Sequence, residues 1–318
     1  MSSLQQPRRL VNALQRNIGK VIVGKSEAVE LALIALLCRG HVLIEDVPGV
    51  GKTTLASALA RSLDCSFKRI QFTPDVTPSD VTGFTAVNFQ TGAMEFKPGA
   101  VMSQIVLADE INRTSPKTQS SLLEVMEETQ VTVDGVTYPL PKPFIVLATQ
   151  NPVEFVGTYP LPEAQMDRFF MRIAIGYPSV EEEMDILERY TGSTAPLQTL
   201  EPVATAESIV EIQAAVGRIY SAREVRSYVA SIAAATRRHP MLQLGCSTRG
   251  AISLVRAAQA CALLAGREYI VPEDVQRMAL PVLAHRVSLS SEARMKGLAP
   301  ERILDQLIAS IQVPVRVP

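Results

Sequence analysis

No cysteine in this sequence stands close enough to another to form a CxxC. Cys38, Cys65, Cys246 and Cys261 are widely spaced, which argues against a disulfide framework or a structural zinc site and leaves free, buried thiols as the expectation. His41, His239 and His285 are the only histidines and also lack metal-ligand spacing, so the chemistry is not expected to centre on histidine. Charge of one sign is missing as well: 31 Lys and Arg against 32 Asp and Glu remove a broad electrostatic case for a nucleic-acid or membrane-surface partner. No apolar run is long enough to span a bilayer. The segment Met1 to Leu10 is polar, carries Arg8 and Arg9 and has no signal-peptide core, so a cytoplasmic location is expected. Internal repeats and low-complexity tracts are absent too.

What is there is a chain of 318 residues, 47% hydrophobic, large enough for two domains around a sizeable core. The first two thirds alternate helical segments with short apolar runs at His41 to Glu45, Phe67 to Phe72, Ile105 to Ala108, Phe144 to Thr149 and Phe169 to Ile175. Such alternation predicts a five-stranded parallel α/β sheet. After Thr191-Gly192-Ser193-Thr194-Ala195-Pro196 the strand signals stop and apolar residues recur at helical spacing, as in Val225, Tyr228, Val229 and Ile232. We therefore expect an α/β nucleotide-binding domain over 1–195 and a small all-helical domain over 196–318. Helices are predicted over Ala222 to His239, Arg249 to Ala265, and Pro272 to Ala284, the last opened by a proline in its first turn.

The first predicted strand runs into Asp46-Val47-Pro48-Gly49-Val50-Gly51-Lys52-Thr53-Thr54 and then a helix with Leu55, Ala58, Leu59 and Leu63 on its apolar face. Strand, glycine loop and helix N-terminus form the context of a phosphate-binding loop. Gly49 and Gly51 allow backbone amides to turn towards phosphates, Lys52 supplies a positive charge to the β and γ phosphates of ATP, and Thr53 offers a hydroxyl to Mg²⁺. Asp46 departs from the strict pattern, which has glycine six residues before the lysine; aspartate tolerates unusual turn geometry better than most residues, so the loop is expected to be intact.

The strand Ile105 to Ala108 ends in Asp109-Glu110, at the strand edge where α/β sheets bind ligands. An isolated Asp-Glu pair is ordinarily a solvated strand end. Following a phosphate loop, it reads instead as Asp109 holding Mg²⁺ through water and Glu110 polarising the attacking water. A third strand ends in Gln150-Asn151-Pro152, and the Asn151 amide is placed to hold the lytic water. Two hairpins interrupt the alternation. Asp134-Gly135 sets a two-residue turn with Val133 opposite Val136, and Phe84 to Lys97 alternates on both sides of Thr91-Gly92.

EDVPGVGKTTLA (Glu45 to Ala56), VLADEINRTSPKTQSSLLEVMEE (Val106 to Glu128), LATQNPVE (Leu147 to Glu154) and YPLPEAQMDRFFMR (Tyr159 to Arg172) resemble the MoxR family of AAA+ ATPases. The resemblance extends roughly from Val21 to Leu283. It implies a P-loop AAA+ domain followed by a helical lid, with Asn151 as first sensor and Arg168 as an arginine finger reaching a neighbouring subunit's nucleotide. Ser247-Thr248-Arg249-Gly250 resembles the second sensor, although the family more often has proline in place of Thr248. Both a cis and a trans role are open to Arg249. Val21-Ile22-Val23-Gly24 matches the segment bordering the adenine, placing Val23 and Gly24 in the nucleotide site. Independently of the name, a guanidinium suits charge developing on a transferred phosphoryl group. Arg113 is a rival finger; it and Arg172 could equally be structural.

The resemblance further implies a homo-oligomeric, hexameric ring and a chaperone-like role towards a client protein, with a von Willebrand factor A domain protein as partner. The hairpins resemble the helix-2 and pre-sensor insertions of the wider clade, which also holds metal-chelatase ATPase subunits and DNA helicases. A chelatase motor is the second reading, although INRTSPKTQ and EAQMDRF fit MoxR better. A nucleic-acid motor needs cations on its hairpins, and these carry none before Lys142 in the 131–138 hairpin and only Lys97 in the other. Substrate gripping and packing at a ring interface are both open to the hairpins. A nucleotide-regulated scaffold that hydrolyses little is the least economical reading, since Lys52, Asp109, Glu110 and Asn151 are all present.

Overall fold

The computed structural model describes residues 5–151, 157–192 and 195–314. Pro152, the end of the LATQNPVE segment and the middle of the Thr191 to Pro196 linker lie outside them. In chain order the first part comprises α1 (Gln5–Gly19), α2 (Ser26–Leu37), β1 (Val42–Glu45), α3 (Lys52–Ser62), β2 (Phe67–Gln71), α4 (Pro78–Thr82), β3 (Gly83–Val87), β4 (Met94–Pro98) and β5 (Ile105–Asp109). Then follow α5 (Pro116–Glu128), β6 (Gln130–Val133), β7 (Val136–Pro139), β8 (Ile145–Gln150), α6 (Glu163–Met166), β9 (Met171–Ile173) and α7 (Val180–Tyr190). The remainder is largely helical: α8 (Ala206–Val216), α9 (Arg223–Arg238), β10 (Leu242–Leu244), α10 (Thr248–Leu264), α11 (Pro272–Leu283), β11 (Ser288–Leu289), α12 (Ser291–Met295) and α13 (Pro300–Ser310).

Five strands form one parallel sheet in the order β2-β5-β8-β1-β9, as the alternation predicts. Because side chains alternate across a strand, each central strand feeds two cores. Val42, Ile44, Ile105, Leu107, Ile145 and Leu147 face one packed with α1, α2 and α3. Leu43, Val106, Ala108, Val146 and Ala148 face the other, packed with Leu122 and Leu123 of α5. The chain leaves β1 to build β2 at the far edge and returns to place β8 and β9 on either side of β1. That reversal of strand order opens a crevice beyond the carboxyl end of β1, the place where such sheets bind ligands.

His41 guards the opposite end of β1. Its Nδ1 accepts from the Val146 amide at 2.9 Å, so Nε2 carries the proton and donates to the Met126 carbonyl at 3.0 Å. Burial pulls its pKa down to about 4, which keeps the ring neutral as a structural pin.

Both hairpins form. Val133 pairs with Val136, and Asp134 and Gly135 have φ of 50° and 78°, the handedness that a two-residue hairpin turn demands. In the β3–β4 hairpin Val87 pairs with Met94, and the turn is wider than Thr91-Gly92 alone: the Asn88 side chain accepts from the Gln90 and Thr91 amides. Phe96 stacks on Tyr138 with ring centroids 4.0 Å apart, fastening the two hairpins together.

The three expected helices of the second part appear as α9, α10 and α11, and Val225, Tyr228, Val229 and Ile232 are buried on one side of α9. The nearly buried guanidinium of Arg286 ties this part to the sheet. It donates to the Asp167 carboxylate at 2.9 Å and to the carbonyls of Phe169 and Phe170 just before β9.

Candidate active site

The phosphate loop leaves β1 at Glu45 and enters α3 at Lys52. Gly49 and Gly51 have φ of +86° and +92°, and a Cβ on either would meet nothing within 4 Å. Backbone handedness, not crowding, requires glycine at both.

Asp46 needs a different explanation from turn tolerance, because it is not among the residues with positive φ. Its buried carboxylate accepts from the amides of Ile175 and Gly176 at 2.6 and 2.7 Å, just past β9, and from its neighbour Val47 at 2.9 Å. The aspartate thus anchors the start of the loop to the strand beside it. Removing it orphans three amides. We predict that Asp46→Ala lowers unfolding free energy by about 2–4 kcal/mol and weakens nucleotide binding, with Asp46→Asn milder, as read by denaturant titration and by ligand titration.

Lys52, the first residue of α3, donates to the Asp46 carbonyl at 2.5 Å. Partial burial lowers its pKa below the ordinary lysine value, while the charges of Asp46, Asp109 and Glu110 push it back up. A phosphate would add to the second influence. Lys52, Thr53, Thr54, Pro48, Gly49 and Gly51 line a cavity of about 390 Å³ together with Asp109, Glu110, Thr149 and Asn151. Val50 is half-buried and packs against the core instead.

Asp109 ends β5, and Glu110 follows with φ 58° and ψ 49°, a left-handed conformation unusual for a residue other than glycine. Thr149 on the neighbouring strand joins them: its hydroxyl donates to Asp109 Oδ1 at 2.6 Å and accepts from the Glu110 amide at 2.9 Å. From the edge strand β2, Arg69 donates to Asp109 Oδ2 at 2.6 and 3.1 Å, and Gln71 donates to Glu110 Oε2 at 3.0 Å. Arg113 pairs with Glu110 at 3.2 Å. The Asp109 carboxylate and the Thr53 hydroxyl are hard oxygen donors beside one cavity, a set that fits Mg²⁺. Arg69 supplies to Asp109 the kind of positive charge that such an ion would bring.

Gly24 lines a second cavity of about 780 Å³ between the sheet and the helical part, bounded by Glu45, Arg172, Ile175, Leu280 and Glu301, with Val23 buried beside it. Arg172 bridges Glu45 at 2.9 Å and Glu301 of α13, so it links the end of β1 to the last helix.

Arg168 and Arg249 line neither cavity. They meet each other instead at Glu127: Arg168 Nε lies 3.4 Å from Glu127 Oε2, and Arg249 donates to Glu127 Oε1. Glu127 follows Met126, whose carbonyl faces His41 at the entry to β1. The phosphate loop is at the exit, and His41 to Asp46 alone is about 16 Å of strand.

Arg69, Gln71, Thr149 and Glu127 escape sequence reading. The signal for the first three is strand register, in which Gln71 falls opposite Asp109, and register is not written in any one strand.

A phosphate loop, a strand-end carboxylate pair and a strand-end amide around one cavity, on a sheet of this order with a helical part attached, define an AAA ATPase. Residues 41–171 match the family described as ATPase family associated with various cellular activities (AAA), and residues 234–307 match the AAA lid domain. The chain is 51% identical over 96% of its length to the uncharacterized protein YeaC of Bacillus subtilis, 96% of which is covered. It is 39% identical over 96% of its length to Chaperone MoxR1 of Mycobacterium tuberculosis, covering 83% of that protein. The crystal structure of a candidate ATPase from Cytophaga hutchinsonii superposes with a TM-score of 0.92 at 38% identity, covering 98% of this chain and 97% of that one. This chain belongs to the MoxR family of AAA+ ATPases. Among the described residues no helix is long and apolar enough to cross a membrane.

Proposed function

We propose that the chain hydrolyses ATP to ADP and phosphate, with Mg²⁺, as one subunit of a cytoplasmic homo-oligomeric ring, and that the cycle remodels a partner protein. The observation that carries this reading is the division of charged groups. Lys52, Thr53, Asp109, Glu110 and Asn151 share one cavity, while the two arginines suited to a transferring phosphoryl group lie together at the other end of the sheet.

In this reading the amides of Gly49 to Thr54 and the Lys52 ammonium hold the β and γ phosphates. Thr53 and Asp109 hold Mg²⁺, which when bound neutralises charge on those phosphates. Glu110 polarises the attacking water, and the Asn151 amide keeps it in line with the γ phosphate. Val23 and Gly24 border the base in the second cavity. Arg168 and Arg249 serve a neighbour's γ phosphate, a role for which distance from their own phosphate loop leaves both available. The α/β domain over 1–195 and the helical domain over 196–318 turn about the segment near Thr191 to Pro196 as the nucleotide changes.

A hexameric ring, a client protein and a von Willebrand factor A domain partner follow from the family reading, and the name Chaperone MoxR1 describes one relative of this chain. Against a nucleic-acid motor stands the charge on the hairpins: Lys97 is paired with Glu95 at 3.1 Å, and neither β6 nor β7 bears a lysine or arginine.

Phosphate release is to be measured over a protein concentration series, with and without DNA. Turnover per subunit that rises with concentration alongside the assembled fraction, and ignores DNA, is expected. Full turnover from isolated subunits overturns completion of the site in trans, and stimulation by DNA overturns the protein-remodelling assignment.

A further inference from the structure

Two guanidinium groups at one surface repel each other, so a pair of arginines stays together only when something between them carries opposite charge. Glu127 does this. Its two carboxylate oxygens are divided, Oε2 to Arg168 and Oε1 to Arg249. Arg168 approaches Glu127 through Nε, 3.4 Å from Oε2.

The backbones that carry the two arginines are already fixed to each other. Asp167, next to Arg168, accepts from the hydroxyl of Ser247 at 2.9 Å and from Arg286 at 2.9 Å. Ser247 is the N-cap of α10, two residues before Arg249. Only the long side chains remain to be set, and their side-chain exposures of 33% for Arg168 and 44% for Arg249 mean that packing does not set them. The placement of Glu127 is also adverse for its own helix. It lies in the last turn of α5, beside Glu128 and with no basic residue in that turn, where the helix dipole disfavours negative charge. Helix stability therefore does not account for a carboxylate at this position.

We propose that Glu127 is the positioning residue that sets Arg168 and Arg249 as a single two-guanidinium fork for the γ phosphate of the neighbouring subunit. The proposal rests on the trans reading of both arginines given above. Its chemistry is electrostatic: no bond is made or broken by Glu127, which holds the donors where charge develops on the phosphoryl group.

The experiment uses the full-length assembled protein. Glu127→Gln removes the charge and keeps the shape; kcat is expected to fall about tenfold with KM for ATP and melting temperature unchanged, and Glu127→Asp, one methylene shorter, to fall in between. On an Arg168→Ala, Arg249→Ala background, adding Glu127→Gln should cost nothing further, because the groups it positions are gone. Subunits carrying Glu127→Gln should regain turnover when mixed with Glu110→Gln subunits, which lend intact forks to intact sites. A wild-type kcat in Glu127→Gln, or a further loss on the arginine-free background, overturns the proposal. The trans reading is judged separately, by mixing Arg168→Ala with Lys52→Ala subunits: if that mixture regains activity while Glu127→Gln is unimpaired, only the role of Glu127 fails.

Discussion

Glu110→Gln should bind ATP within about threefold of the unaltered protein and lose about a thousandfold in turnover, the middle of the range for removing a general base. The local structure explains why the two effects separate. The unusual backbone of Glu110 is held by the Thr149 hydroxyl on its amide, and an amide side chain still offers an oxygen to Gln71. Lys52, Gly49 and Gly51 are untouched, so the phosphate cradle persists. What disappears is the negative charge that polarises water. Calorimetric titration with ATP beside a phosphate-release assay reads both quantities, and loss of ATP binding would contradict the role given to Glu110.

The second large effect is a rescue. Arg168→Ala and Lys52→Ala proteins should each lose about a thousandfold in turnover, the first for want of the finger and the second for want of the phosphate clamp. Mixed in equal amounts and reassembled, they should recover about one quarter of the unaltered rate, because in a head-to-tail ring that share of interfaces joins an intact site to an intact finger. The position of Arg168 at Glu127, with the His41 end of β1 rather than the phosphate-loop end nearest, is what makes recovery the expected result. Mixed rings that assemble and stay inactive would place the finger in its own subunit.

Features that depend on a few neighbouring residues were readable from the chain alone. Alternation located all five sheet strands, and Asp134-Gly135 located a hairpin down to the pairing of Val133 with Val136. Glycine at 49 and 51 followed from the loop's geometry. Features that depend on distant segments were not readable. The carboxylate of Asp46 finds its partner amide 129 positions away, and Arg249 finds Glu127 at a separation of 122. No periodicity encodes such meetings; they arise once the strand order brings β9 beside β1 and the helical part folds back onto the loop preceding β9. Arg69 and Gln71 are intermediate, since their spacing puts them on one side of β2 but only the register with β5 aims them at Asp109 and Glu110.

Helix α5 begins at Pro116, shortly after Glu110, and carries Glu127 in its last turn, 13 residues or about 20 Å in all. A helix of that length, packed through Leu122 and Leu123 into the core, does not bend easily. One stiff rod thus starts shortly after Glu110, the carboxylate proposed to activate water, and ends at Glu127, which pairs with the two arginines proposed to serve the next subunit. In the ring proposed above, each rod would link consecutive active sites, and the timing of hydrolysis would then become a property of the circle and not of any subunit in it.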